Sequence, residues 1–304
     1  MAISAKDVQK LREMTGVGMM DCKKALAESN GDFDKAIEWL REKGLAASAK
    51  KAGRIAAEGM AYAGVIDGVG VVVEVNAETD FVGKNEKFVD FVKGVAATVA
   101  ACAPADLDAL MECKYNGTDL TVTQQQQEMV LVIGENIKVR RFARFADGVS
   151  VPYIHAGGKI GVLVNLEVTG GIDATEIGKD LAMQIAALNP RFLDKSQVTQ
   201  DVLDGEKKIM LAQMANDPKM AGKPDKVKEN IVNGKLNKFF AENCLLQQAF
   251  VKDGDVTVEQ YMNAAAKKLG GTVTLKDAVR FEKGEGIEKK EENFAEEIAK
   301  LAGN

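Results

Sequence analysis

The hydrophobic period of this 304-residue chain changes near residue 60, and that change limits the folds available to it. Residues 33–40 carry apolar side chains at i, i+3, i+4 and i+7, the spacing of an amphipathic helix. Residues 60–66 and 69–76 instead alternate like strands on either side of Asp67-Gly68, a dipeptide typical of tight hairpins. We therefore expect an α+β protein in which a helical module precedes a sheet-containing core.

The helical module has recognisable starts and stops. Ser4 and Asp7 have the spacing of a capping box before the first apolar stripe. Two glycine-containing breaks then separate three short helices, the last of which we expect to end at Gly44. Residues 1–45 thus predict a small three-helix domain, and the Ala- and Lys-rich residues 46–59 predict a linker that is partly helical.

Two sheet-plus-helix patterns follow, and they predict two related core subdomains. The second pattern begins with three strand-like runs, the first of which is 137–145. A later polar segment has few positions that could fill a core, so we expect it to form a projecting helical hairpin. The predicted divisions are 60–136 for the first core subdomain, 137–195 with 244–283 for the second, 196–243 for a helical, coiled-coil insertion and 284–304 for a C-terminal helix.

The charge balance argues against nucleic acid as a direct partner. The formal net charge is −5, whereas domains that neutralise phosphate backbones are usually strongly basic. The N-terminus lacks the charged start and apolar stretch of a secretory signal, and no window approaches about 18 consecutive apolar residues. We expect a cytoplasmic protein without membrane contact.

The residue inventory argues against an enzyme. His155 is the one histidine, which excludes multi-histidine metal sites, and no phosphate-loop, dinucleotide-binding or G-x-S-x-G motif occurs. The four cysteines lie far apart without a C-x-x-C pair, so we expect neither a disulfide framework nor a zinc site. The abundant carboxylates leave an acid–base pair open, but nothing points to one. We expect no catalytic residue, no cofactor and no metal.

An aromatic residue stands where a strand of the first core subdomain ends. The strand that precedes it breaks at Asn76, and Asp80, Phe81 and Val82 come before Gly83. Phe81 lies seven residues before Phe88, so it could share a helix face with that residue and belong to the core. From the residues alone we expect burial, because aromatic side chains are mostly buried.

Three stretches together resemble the elongation factor Ts family. They are L-R-E-M-T-G-V-G-M-M-D-C-K-K-A-L at 11–26, E-V-N-A-E-T-D-F-V-G-K at 74–84 and I-G-E-N-I-K-V-R-R at 133–141. Their order and spacing agree with the family, and the resemblance extends over essentially the whole chain. It implies a ubiquitin-associated-like N-terminal domain, a core of two α+β subdomains, a coiled-coil insertion and a C-terminal helix.

The resemblance also implies a partner and a contact surface. The partner is elongation factor Tu, in its GDP-bound and nucleotide-free states, and the tip formed by Thr79, Asp80, Phe81 and Val82 enters its GTPase domain. This reverses the expectation that Phe81 is buried. The other candidate contacts that the resemblance implies are Arg12, Met19, Met20, Lys23, Ile133, Gly134, His155 and Val251. The chain departs from the family pattern at Ala77, Gly83 and Lys252, of which Gly83 raises the question of a looser tip.

We therefore expect a guanine nucleotide exchange factor that promotes GDP release and disturbs the magnesium and phosphate site of its partner. Two other functions stay open. The first is a binding module that acts as a passive chaperone of a translation GTPase. The second, which the sequence supports least, is an enzyme that uses the carboxylates. The sequence leaves two roles for the helical insertion, dimerisation or binding of something else.

Overall fold

The computed structural model describes residues 3–217, 220 and 223–288. Its first helices share one apolar core that includes Leu11 and Leu26. Ser4 begins the first helix with the predicted capping box, in which its hydroxyl accepts the Asp7 N–H at 3.1 Å and the Asp7 carboxylate accepts the Ser4 N–H at 3.1 Å. The three helices are α1 (Ala5–Thr15), α2 (Met19–Glu28) and α3 (Phe33–Lys51).

Helix α3 continues through Gly44, where the sequence predicted its end. A Cβ atom at Gly44 would lie 3.3 Å from the carbonyl oxygen of Gln127 on α6 (Val122–Ile133), so the absent side chain lets α3 and α6 approach closely. The predicted stop is wrong because this glycine is a helix–helix contact point, and the alanine-rich residues after it favour continued helix. The helical module is thereby packed directly on the core.

The first sheet of the core is antiparallel, with the strand order β1–β2–β3. Asp67 and Gly68 have positive φ values of 50° and 80°, as a two-residue hairpin turn requires, so this predicted hairpin is confirmed. Helix α4 packs on the sheet through Phe88 and Phe91, which are fully buried. The elements are β1 (Glu58–Ile66), β2 (Val69–Ala77), β3 (Lys138–Phe145), α4 (Glu86–Cys102), α5 (Leu107–Glu112) and α6.

Strand β3 belongs to this first sheet, whereas the sequence pattern predicted 137–145 as part of the second core subdomain. It pairs with β2 from Gly70 opposite Phe145 to Asn76 opposite Lys138. The pairing crosses more than 60 residues of chain, and nothing local in a strand selects a distant partner. The grouping of 137–145 with the second sheet is therefore corrected, while the other predicted divisions stay predictions.

The second sheet is antiparallel with the order β4–β5–β8. Two helices cover it, and its core includes Val162, Leu166 and Leu181. A separate two-stranded ribbon of β6 and β7 precedes the second of these helices. The elements are β4 (Val149–His155), β5 (Ile160–Thr169), α7 (Thr175–Leu188), β6 (Ala249–Phe250), β7 (Asp253–Thr257), α10 (Val258–Leu269) and β8 (Thr272–Glu282).

The two sheets contact each other through the faces that their helices leave free. Ala63, Val72 and Leu163 form a small buried cluster between them. Gly70 permits this approach, because a Cβ atom there would lie 2.3 Å from the hydroxyl oxygen of Ser150. The core of the chain therefore consists of two sheets with helices on their outer sides, and the α+β class is confirmed.

A buried carboxylate joins the first sheet to the end of the last strand. Glu74 is fully buried and accepts hydrogen bonds from Arg140 at 2.9 Å, from Arg141 at 2.5 Å and from the N–H of Gly284 at 2.8 Å. Arg141 also pairs with Glu285 at 3.0 Å. Because a buried charge is costly without partners, this cluster fixes β8 and the turn after it against β2 and β3.

Two helices form the insertion, α8 (Gln200–Ala215) and α9 (Asp225–Asn243). They pack on each other through an apolar cluster that includes Met210, Met214 and Phe239. That the pair projects and forms a coiled coil stays a prediction. The C-terminal helix that the sequence predicts within 284–304 falls mainly on residues 289–304, which lie outside the described residues.

Cys102 and Cys113 form an intrachain disulfide between the end of α4 and the end of α5, with their Cα atoms 6.5 Å apart. These two cysteines stand 11 residues apart without a motif that marks them as a pair, so the disulfide departs from the expectation drawn from the cysteine spacing. Cys22 and Cys244 are buried free thiols, and burial raises the pKa of both. In the part of the chain that the structure describes, no helix combines the length and the apolar character needed to cross a bilayer.

Candidate partner-binding site

The tip after β2 divides into residues that face solvent and residues that face the protein. Asp80 and Phe81 are exposed, and Phe81 has 81% of its surface accessible. Val82 points inward and belongs to the core of the first sheet, with Phe88 among its members. The tip thus presents an acid and an aromatic ring on a buried apolar anchor, and the expectation of a buried Phe81 from the residues alone is wrong.

Two carboxylates, one from each of two chain segments, hold the base of the tip by accepting hydrogen bonds from the other segment. Glu135 accepts the backbone N–H groups of Glu78 at 3.1 Å and Thr79 at 2.9 Å, and the Thr79 hydroxyl at 2.7 Å. In the opposite direction, Glu78 accepts the backbone N–H of Asn136 at 2.6 Å. We call this pair of exchanged contacts the crossed clamp.

Gly83 packs tightly below the tip. A Cβ atom at this position would lie 2.7 Å from the carbonyl oxygen of Gly59 on β1. The residues that follow make a short 3-10 turn at Val82–Lys84, and Asn85 then caps α4 by accepting the Lys87 N–H at 3.0 Å. Gly83 therefore brings the tip close to the sheet, which argues against the looser tip that its departure from the family pattern suggested.

The end of α6 lies beside the tip. Ile133 and Phe81 line one shallow cleft together with Lys87. Gly134 ends α6 with a φ of 86°, and its N–H donates to the carbonyl oxygen of Val130 at 3.0 Å. The helix C-cap that the sequence suggests for these two residues is present, and the turn it produces leads directly to Glu135.

The helical module brings a second exposed surface to the same region. The Lys87 ammonium donates to the carbonyl oxygen of Gly16 at 3.1 Å, so the loop before α2 lies against the first turn of α4. Met20 is 75% exposed and Met19 is half exposed at the start of α2. Arg12 and Lys23, the charged candidates of the module, are exposed as well.

The module is held in this position by contacts to α6. Leu131 and Val132 of α6 pack against the apolar core of the module. Arg41 of α3 also pairs with Glu128 at 3.1 Å. The methionines of α2 and the tip after β2 therefore belong to one connected body in the free protein.

The whole chain matches one protein family. A family model described as Elongation factor TS covers residues 78–285, more than half of the chain. Proteins named elongation factor Ts from Syntrophotalea carbinolica, Clostridium perfringens strain SM101 and Trichlorobacter lovleyi are 48%, 50% and 49% identical to it. Each alignment covers at least 99% of this chain and 99% of the relative.

The chain belongs to the elongation factor Ts family. The resemblance inferred from the three stretches is thus confirmed. Membership of this family implies a translation elongation factor that acts as a nucleotide exchange factor for elongation factor Tu and has no active site of its own.

The two remaining candidates of this elongation factor Ts family member lie in the second core unit. His155 is exposed at the end of β4, where its Nδ1 atom lies 3.0 Å from the Tyr153 hydroxyl. Val251 is half exposed between β6 and β7, and its N–H donates to Gln184 at 2.8 Å. Lys252, which departs from the family pattern, pairs with the buried Asp180 at 2.6 Å. Both candidates stand on elements other than those that carry the tip.

Two cationic side chains lie close to the crossed clamp. Arg54 lies 3.5 Å from Glu78. The pKa of Lys51 is lowered by burial and by the nearby Arg54 charge, while Glu78 and Glu135 oppose the shift. The last residue of α3 and the turn after it therefore place Lys51 and Arg54 beside the two acids that hold the tip.

Sequence reasoning missed Glu135 and Asn136. Both stand in the I-G-E-N stretch that carried the resemblance, directly after the C-cap glycine of α6. That position was the available signal, because a left-handed glycine at a helix end turns the chain and sets the direction of the residues that follow it. Their partners lie 56 to 82 residues earlier in the chain, so no local pattern could reveal the contacts.

No group of three potential ligands that could hold a metal ion occurs among residues 3–217, 220 and 223–288. The structure brings together around the tip an exposed ring and acid, an adjacent cleft and two exposed methionines.

Proposed function

We propose that this chain promotes GDP release from elongation factor Tu by inserting the tip at Asp80 and Phe81 into the GTPase domain and disturbing the magnesium and phosphate site. The observation that carries the proposal is the exposure of the Phe81 ring on a base that is anchored by Val82 and held by Glu135. A large apolar ring that the protein does not bury itself is available for burial in a partner.

An exchange factor must bind the nucleotide-free partner more tightly than the nucleotide-bound one, because equal affinity for both states would shift nothing. Coupling between nucleotide and factor is reciprocal, so rebinding of nucleotide weakens the complex by the same factor. A GTPase holds its nucleotide through backbone amides, a lysine and magnesium at the phosphate loop. A stiff wedge that enters beside this loop meets the requirement, since it fits only the rearranged state.

Burial of the tip alone does not supply enough free energy for a large acceleration of GDP release. Full burial of a phenylalanine side chain contributes about 1.5–3 kcal/mol, whereas a thousand-fold faster release needs a barrier lower by about 4 kcal/mol. We therefore assign the holding of the partner to a broader surface that includes Met19 and Met20, whose flexible side chains suit adaptable contacts. Arg12 and Lys23 supply charge on the same module.

The other candidate residues have distinct parts in this proposal. Ile133 and Gly134 support the tip from the side of α6, and Thr79 and Val82 anchor it in the free protein. His155 and Val251 contact a different domain of the partner from the second core unit. Asp80 acts by its charge on groups around the magnesium ion and phosphate.

The proposal is tested by the release of fluorescent GDP from elongation factor Tu. The purified chain is expected to raise the GDP dissociation rate in proportion to its concentration until the partner is saturated. An unchanged dissociation rate would leave the chaperone or binding-module function as the better account. Removal of residues 1–55 should weaken exchange in the same assay, because it removes the methionine surface.

Two further features belong to this proposal. We place the protein in the cytoplasm, where translation takes place.

We also assign self-association to the insertion, because Ile209 and Leu211 of α8 are half exposed. Sedimentation of the full chain and of the double variant Ile209→Ser/Leu211→Ser checks this: a dimer that persists in the variant places the interface elsewhere, and a monomeric wild type removes it.

A further inference from the structure

We infer that Glu135 is a positioning residue for nucleotide exchange. It fixes the direction in which the Phe81 side chain projects from the protein surface. The inference rests on the proposed function. Glu135 does not stand in the tip, and it acts through the backbone of the two residues that precede Asp80.

The contacts of Glu135 use both of its carboxylate oxygens. One oxygen accepts two consecutive backbone N–H groups, those of Glu78 and Thr79, and the other accepts the Thr79 hydroxyl. Hydrogen bonds to an ionised acceptor are about twice as strong as those between neutral groups. Two consecutive N–H groups bound to one atom leave the chain little freedom to rotate at the point where the tip begins.

The contacts of Asn136 form the other half of the crossed clamp. Glu78 accepts the N–H of Asn136, and the Asn136 side chain donates to the carbonyl oxygen of Arg54 at 2.8 Å. The residue that holds the tip is therefore itself held, on a segment that starts at the C-cap of α6. In this way the clamp ties the tip to α6, the helix on which the N-terminal module also packs.

Beyond the clamp, Asp80 and Phe81 lie in solvent. A tip without the clamp would sample many directions, and the loss of that freedom would oppose insertion into the partner. Because the methionine surface does not depend on the clamp, the loss of Glu135 should reduce the maximal exchange rate more than the affinity for the partner.

The test compares Glu135→Ala with Glu135→Gln in the GDP release assay. Alanine removes all three contacts, so we expect the maximal exchange rate to fall about tenfold, with the half-saturating concentration of factor changed less than about twofold. Glutamine can still accept both N–H groups through its oxygen and donate its amide to the Thr79 oxygen. It should therefore recover most of the rate.

A second arm repeats Glu135→Ala in a Phe81→Ala background. If Glu135 acts by directing Phe81, its removal has little further effect once the ring is absent, and the two substitutions are non-additive. A matched control is Asp106→Ala, which removes a carboxylate that caps α5 by accepting the Ala109 N–H at 2.8 Å. Asp106 lies beyond the far end of the 17-residue α4, about 25 Å along that helix from the tip.

The outcomes separate this inference from the proposed function. If Phe81→Ala exchanges as fast as wild type, the proposed function fails and the inference falls with it. If Phe81→Ala is slow but Glu135→Ala is not, or if the two effects are fully additive, the inference alone is overturned. Should Glu135→Ala not fold, Glu135→Asp keeps the charge but draws both carboxylate oxygens back by one methylene from the N–H groups of Glu78 and Thr79, and an unreduced rate in that variant also overturns the inference.

Discussion

Phe81 and Phe88 lie seven residues apart, and the first is 81% exposed while the second is fully buried against the first sheet. The 3-10 turn between them and the cap at Asn85 rotate the chain, so the two rings do not share a helix face. The seven-residue spacing would have joined them only if the helix had continued through the turn.

This difference predicts that the same substitution destabilises the protein strongly at Phe88 and hardly at all at Phe81. Phe88→Ala should lower the free energy of unfolding by about 3–5 kcal/mol, because it removes a ring from a packed core. Phe81→Ala should change it by less than about 0.5 kcal/mol, because the ring is exposed. Urea unfolding of both variants measures the difference, and equal losses would mean that Phe81 packs inside the protein.

The close contact of α3 and α6 at Gly44 yields a second prediction. Gly44→Leu should lower the free energy of unfolding by about 1–3 kcal/mol, because the added side chain meets the backbone of Gln127. Gly53→Leu is the matched control, since no atom lies within 4 Å of a Cβ atom at that position. Urea unfolding and limited proteolysis between the module and the core measure the effect. Similar behaviour of the two variants would argue against close packing at Gly44.

The buried Glu74 yields a third prediction. Glu74→Ala leaves Arg140 and Arg141 without their shared carboxylate and should lower the free energy of unfolding by about 3 kcal/mol. Glu285→Ala removes an exposed partner of Arg141 and should cost less than about 1 kcal/mol. Denaturant unfolding of the two variants compares them. A Glu74→Ala protein as stable as Glu285→Ala would show that the cluster adds little to the fold.

The capping box of α1 yields a prediction about pH. The Ser4 hydroxyl and then the Ser4 N–H lower the pKa of Asp7 below its ordinary value of 3.8. Because the folded pKa is depressed, the stabilisation is present above pH 3.8 and is lost as the pH falls through the folded pKa. Carboxyl NMR titration should give a pKa for Asp7 that rises toward 3.8 in Ser4→Ala. An Asp7 pKa that does not change with this substitution would contradict the capping geometry.

Local features of the fold could be predicted from the sequence because neighbouring residues determine them. The Ser4 capping box and the Asp67-Gly68 hairpin depend on spacings of a few residues, and both are present. The length of α3 was predicted wrongly. Gly44 has the residue type that commonly ends a helix, whereas here its lack of a side chain allows contact with α6, which lies far away in the sequence. The sheet to which β3 belongs was predicted wrongly, because α4, α5 and α6 separate β3 from β2 in the chain and such a distant pairing leaves no local trace in either strand.

The candidate site was predicted by resemblance more than by residue chemistry. An aromatic residue in a turn is usually buried, and Phe81 could be assigned to the surface only through the E-T-D-F-V stretch. Glu135 was missed because a glutamate after a helix end has many ordinary roles. Only the three-dimensional contact with Thr79 distinguishes it from other carboxylates of the chain.

The role of Phe81 in exchange is best tested by the rate of fluorescent GDP release from elongation factor Tu, measured with wild type and Phe81→Ala side by side. We expect wild type to accelerate release, and Phe81→Ala to remain folded but to have a maximal rate at least tenfold lower, which corresponds to about 1.4 kcal/mol. Equal release rates for the two proteins at saturation would contradict this expectation.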